Sequence, residues 1–78
     1  MVLRNFLFKL LKNRPGDGYQ VGIFIDGIKT SDERDAIAAR LVEMRCLEKG
    51  WSGVGRTGIH GQFNYDVIEK LIKNGVIR

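Results

Sequence analysis

The chain is poor in residues that reinforce a small fold from outside its hydrophobic core. Its 78 residues include one cysteine, one proline, one tryptophan and one histidine. The lone Cys46 excludes an internal disulfide and fits a reducing, cytoplasmic setting. It falls inside a helical pattern, where a thiol packs as a small inert hydrophobe. One histidine and one cysteine form no cluster with metal-ligand spacing, so neither a metal nor a cofactor is expected. No apolar run approaches the roughly 20 residues needed to cross a bilayer. The chain also lacks an internal repeat, a linker and a low-complexity tract. These absences leave one small domain over residues 1–78, which buries only about 60–65% of its unfolded surface.

What is present is ordinary in proportion, 44% hydrophobic and 28% charged, as in globular proteins. Thirteen Lys and Arg stand against nine Asp and Glu, giving a net charge of +4. That balance favours nucleic acid, an acidic protein surface or anionic lipid as partner, without choosing among them.

Residues 2–13 read as an amphipathic helix. Leu3, Phe6, Leu7, Leu10 and Leu11 follow the i, i+3, i+4 rule, with Arg4, Asn5, Lys9 and Lys12 opposite. Arg4, Asn5 and Lys9 interrupt the apolar run of a signal peptide, and no small-residue cleavage site follows. The apolar side is expected to cover the core rather than lie on a membrane. Pro15-Gly16-Asp17-Gly18 reads as a turn. Tyr19–Ile25 is the best strand, with Val21, Ile23 and Ile25 on one face and Gln20, Gly22 and Phe24 on the other. Asp26-Gly27 is a hairpin signal that would make Ile28-Lys29-Thr30 a short return strand; a strand-to-helix turn competes.

Thr30 and Glu33 have capping-box spacing, and Asp32, Glu33 and Asp35 suit a helix N-terminus. That helix is expected to run to about Glu48, stopped by Gly50, with Ile37, Leu41 and Met44 buried, widened by Ala38, Val42 and Leu47. Arg40 and Glu43 are placed to pair on its wet side. Asn64 is expected to cap a last helix over Tyr65–Asn74. Gly75 then takes the left-handed position, Val76 packs back on Leu71, and Val76-Ile77 forms a possible terminal strand. The expected fold is α+β, in the order α-β-(β)-α-glycine-rich loop-α.

The glycine-rich stretch Lys49–Phe63 holds five of the ten glycines, the tryptophan and the histidine. Fifteen residues are long for a connection in a small domain, where about 4–6 is usual, and long loops tend to be functional. Gly53-Val54-Gly55-Arg56-Thr57-Gly58 matches the dinucleotide spacing G-x-G-x-x-G. Gly50, Gly55, Arg56 and Thr57 match a phosphate-binding P-loop with arginine for lysine. Both chemistries require a strand before the glycines and a helix after them. Here a helix precedes, so neither nucleotide fold is expected.

Val21-Gly22-Ile23-Phe24-Ile25-Asp26-Gly27 resembles the opening strand of NYN/PIN-type nucleases, in which the aspartate holds catalytic metal. Those nucleases draw further acids from several strands of a larger sheet. Here Asp26 reads as a turn residue, and Asp32, Glu33 and Asp35 as helix-start acids. Gly50-Trp51 followed by Gly58, His60, Gln62 and Phe63 resembles the histidine segment of HicA-type mRNA-interferase toxins. The resemblance implies RNA cleavage assisted by His60 on a fold like a double-stranded-RNA-binding domain. It covers fourteen residues, has Ile59 where that family commonly has serine, and passes to a helix where that family has a further strand. Leu71–Arg78 resembles the helix-glycine-strand exit of winged-helix recognition helices, and the chain ends before any wing.

The stretch reads best as a contact surface. Lys49, Arg56 and His60 supply phosphate-directed donors, Trp51 and Phe63 supply stacking faces, and the glycines allow close approach. Arg4, Lys9, Lys12 and Arg14 would extend a positive face if the fold gathers them. The competing structural role is that Trp51, Val54, Ile59 and Phe63 plug an irregular core. No nucleophile–base pair or carboxylate pair emerges, so catalysis is not expected. The first expectation is a small basic binding protein acting on nucleic acid, or on a complex that handles it, through residues 49–63. The second is a phage or mobile-element inhibitor that blocks a protein surface in the manner of anti-CRISPR proteins. The third is an RNA-cleaving toxin using His60.

Overall fold

The computed structural model describes residues 2–16 and 19–75. Three helices and three strands follow in the order α1 (Val2–Lys12), β1 (Tyr19–Phe24), α2 (Ser31–Glu43), β2 (Ser52–Val54), β3 (Gly58–Gln62) and α3 (Tyr65–Lys73). This is the expected α+β class. The strands form one antiparallel sheet in the order β1-β3-β2.

The periodicity of α1 is realised as packing. Leu3, Phe6, Leu7 and Leu10 are buried, and Phe6 meets Phe63 edge-on at 6.2 Å between ring centres. They share one core with Ala38 and Leu41 of α2, Ile59 of β3, and Tyr65 and Ile68 of α3. The first helix is thus a wall of the domain.

Several local expectations are corrected. The glycine-rich stretch is not a loop: β2 and β3 pair through Ser52–His60, Gly53–Ile59 and Val54–Gly58 to make a hairpin. The second strand therefore lies here and not at Ile28–Thr30, where Gly27 (φ +90°) turns the chain directly into α2. Thr30 does cap that helix, accepting from the Glu33 amide at 3.2 Å, but Arg40 and Glu43 form no ion pair within 4 Å.

α2 ends at Glu43, before the expected Glu48. The amides of Cys46 and Arg45 bond back to the carbonyls of Leu41 (2.8 Å) and Val42 (3.0 Å). This is a Schellman closure, with Arg45 (φ +63°) in the left-handed position that glycine usually fills. Asn64 precedes α3 without capping it by its side chain. Its Nδ2 instead donates to the Arg45 carbonyl at 2.7 Å, tying the end of α2 to the start of α3. Gly75 is left-handed (φ +72°) as expected. Asp17, Gly18, and the packing and strand expected at Val76-Ile77 lie outside the described residues.

A further correction concerns β1. Gln20 faces Gly61 and Ile23 faces Ile59, so Val21 and Gly22 together oppose the single residue His60. This bulge, made by Gly22 at φ +63°, breaks the simple alternation. Val21 turns away from Ile23 and is 78% exposed, while Ile25 is buried. Tyr19, Val21 and Phe24 consequently share the sheet face opposite the helices.

Candidate functional site

The structure separates the five residues expected to act together. Phe63 is 2% exposed and belongs to the core, which corrects its assignment as a stacking face. An aromatic side chain at the end of β3 is directed inward by strand alternation, as Ile59 is. Trp51 is half-buried on the helix side of the hairpin. There its Cβ covers Gly61, where an added Cβ would stand 2.9 Å away.

Above Trp51 lies Arg34, a residue of α2 that sequence reasoning passed over. Its guanidinium is 5.8 Å from the Trp51 ring centre, donates to the Gly58 carbonyl at 2.9 Å and bonds Asp35 at 2.7 Å. It is flattened on the hairpin: a Cβ at Gly53 would meet three guanidinium atoms at 2.7 Å. A buried arginine is tolerated because its charge is paired and its donors are used. Gly53 and Gly61 are therefore seats for this chain's own Arg34 and Trp51. They do not open the backbone to a partner, as the sequence had suggested.

Lys49 lies apart from the sheet face, in a cleft of about 440 Å³ lined also by Glu43, Arg45, Glu48 and Asn64. The two glutamates make that cleft mixed in charge. The basic face expected along α1 is also partly neutralised. Lys9 contacts the Phe24 carbonyl (2.9 Å) and Asp26 (3.3 Å), and Arg14 contacts Glu69 (2.8 Å) and Asp66 (3.3 Å). Exposed pairs of this kind add little stability, but they lower the local positive field.

Arg56 and His60 remain, and they lie with the residues brought out by the bulge. His60 projects from the central strand onto the open face, its ring 5.1 Å from that of Tyr19. Phe24, 45% exposed, lies at the other end of the same face. Its ring covers the backbone of Gly58 and Gly55, where added Cβ atoms would stand 2.8 and 3.5 Å from it. Arg56 is exposed at the hairpin tip beside Gly55 (φ +59°), among the turn residues between β2 and β3. None of the strand residues is acidic. The surface thus offers two aromatic positions, an imidazole and a guanidinium without a nearby strand carboxylate.

Tyr19, Val21 and Phe24 carried one available signal: large apolar residues crowded into a strand with too few buried places for all of them. The bulge that exposes them depends on pairing with β3, more than thirty residues away. Among the described residues no group of three His, Cys, Asp or Glu side chains gathers to hold a metal. Among the described residues, no helix is long and apolar enough to cross a membrane. Burial pushes the Cys46 thiol up to about 11, consistent with a packing role. No protein-family profile matches this chain, and no characterised protein or solved structure is significantly similar to it.

Proposed function

We propose that this chain is a small basic binding protein that engages nucleic acid, or a complex handling nucleic acid, through the β2–β3 hairpin and the open face of its sheet. The observation that carries the reading is that face itself. Tyr19, Phe24 and His60 lie on it, Arg56 stands at its end, and the strands contain no acidic residue. Net charge of +4 supplies the long-range attraction to a polyanion.

The test is binding to mixed-sequence nucleic acid across a salt series. Affinity should fall steeply with salt, and Arg56→Ala should weaken binding and reduce the salt slope by about one phosphate contact. Binding that ignores both salt and Arg56 would remove the proposal.

A second reading is favoured by one specific observation. Val21 is 78% exposed beside Tyr19 and Phe24 on an edge strand, an arrangement suited to anchoring a protein partner. On that reading the chain is an inhibitor or adaptor, as anti-CRISPR proteins are. Its complex would survive nuclease treatment in a pull-down, and Val21→Ser would weaken it more than Arg56→Ala. RNA cleavage through His60 is the least supported. No hydrogen bond joins its ring to a carboxylate among the described residues, where a base would need an orienting partner.

A further inference from the structure

The open face has a geometry more selective than positive charge alone. Phe24 does not stand upright on the sheet. Its ring covers the backbone of Gly58 and Gly55, with Gly22 4.0 Å from the same ring at the position of an added Cβ. These glycines let the ring lie close to the sheet, and Phe24 remains 45% exposed. At the far end of the face, His60 and Tyr19 form a second aromatic unit, with their rings inclined at 58°. The span of β3 between these positions, from Gly58 to Gln62, is about 13 Å at strand rise.

From this we infer that the ligand of the sheet face is single-stranded nucleic acid, with unpaired bases stacking on Phe24 and on the Tyr19–His60 unit while Arg56 meets the phosphate backbone. The inference rests on the reading proposed above and narrows it. Bases in a duplex have their faces covered by their neighbours, so Phe24 and the Tyr19–His60 unit would find no base face to stack on. Unpaired bases expose both faces, and aromatic platforms beside a cation hold them with little dependence on sequence. Charge complementarity agrees, since no carboxylate on the strands would repel a phosphate chain.

The experiment compares fluorescence-anisotropy titrations of a short oligothymidylate and a short mixed-sequence DNA duplex, with wild type, Phe24→Leu, Phe24→Trp and Arg56→Ala. Circular dichroism melts confirm that each variant folds. Leucine keeps apolar cover over the glycines and removes the π-face; tryptophan restores it. The expected result is tighter binding of the single strand, a roughly tenfold loss for Phe24→Leu on that strand alone, and recovery with Phe24→Trp. Arg56→Ala should weaken both ligands. If the duplex binds as well as the single strand, or Phe24→Leu leaves single-strand affinity unchanged, the stacking inference is overturned. The broader nucleic-acid reading then survives only if Arg56→Ala and salt still weaken binding. If neither oligonucleotide binds, both readings fall.

Discussion

Arg45 occupies a backbone conformation that arginine disfavours, and the consequence can be worked through. At φ +63° it closes the Schellman motif at the end of α2. A left-handed conformation disfavours an L-residue with a Cβ by roughly 1–2 kcal/mol. Glycine would relieve that strain, but its unfolded chain is more flexible, which returns about 0.5–1 kcal/mol. The Asn64 side-chain amide donates to the backbone carbonyl of residue 45, a group that either residue keeps. No ion pair of the Arg45 side chain is lost among the described residues. Arg45→Gly should therefore stabilise the domain by about 0.5–1 kcal/mol, raising Tm by about 3–6 °C for a chain of this size. Thermal and urea unfolding followed by circular dichroism provide the measurement. Arg45→Ala is the control, because it removes the charge but keeps the Cβ, and it should leave stability near wild type. Equal gains from alanine and glycine would assign the effect to charge. A neutral or destabilising glycine would refute the backbone argument altogether.

Three further outcomes follow from the packing. Gly61→Ala should destabilise by about 1–3 kcal/mol, since its Cβ would stand 2.9 Å from Trp51 Cβ and 3.2 Å from Trp51 Cα, neither of which is the movable end of a side chain; urea midpoints read this directly. Arg34→Ala should lower stability by about 1–3 kcal/mol by leaving the Gly58 carbonyl without its guanidinium donor, and amide exchange in β2 and β3 should quicken. Cys46 should resist a thiol reagent at pH 8 until the protein unfolds. Because burial raises its thiol from 9.0 to about 11, the unfolded chain loses this proton first as pH rises. The contribution is intact below pH 9 and declines towards pH 11 by up to about 1.4 kcal/mol per unit. Subtracting the pH profile of Cys46→Ala isolates it, and parallel profiles would count against a buried protonated thiol.

Much of the architecture was legible locally. The period of Leu3, Phe6, Leu7 and Leu10, the capping box at Thr30 and Glu33, and the left-handed Gly75 depend on neighbours within one or two helical turns. The hairpin at 52–62 was not, because its strands are short and its alternation is diluted by glycine. Read alone, Ser52-Gly53-Val54 has almost no strand signal. It pairs with β3 as a strand, with Arg34 over Gly53 and Trp51 over Gly61 filling the places where side chains are missing. The early end of α2 was likewise hidden, since the closing position holds arginine where the usual signal is glycine.

The candidate surface divides in the same way. Sequence alone determined the helical faces, the single domain, the basic balance, and the concentration of His60 and Arg56 in one glycine-rich segment. Tertiary structure decided which of those residues face solvent. It drew Phe63 into the core and put Trp51 beneath Arg34. It left Lys49 in a mixed-charge cleft and, through the bulge at Val21-Gly22, set Tyr19 and Phe24 on the same face as His60. The physical reason is range: a helix face follows from spacing within the helix, whereas the face of a strand depends on its register with a distant partner, and a one-residue bulge reverses it.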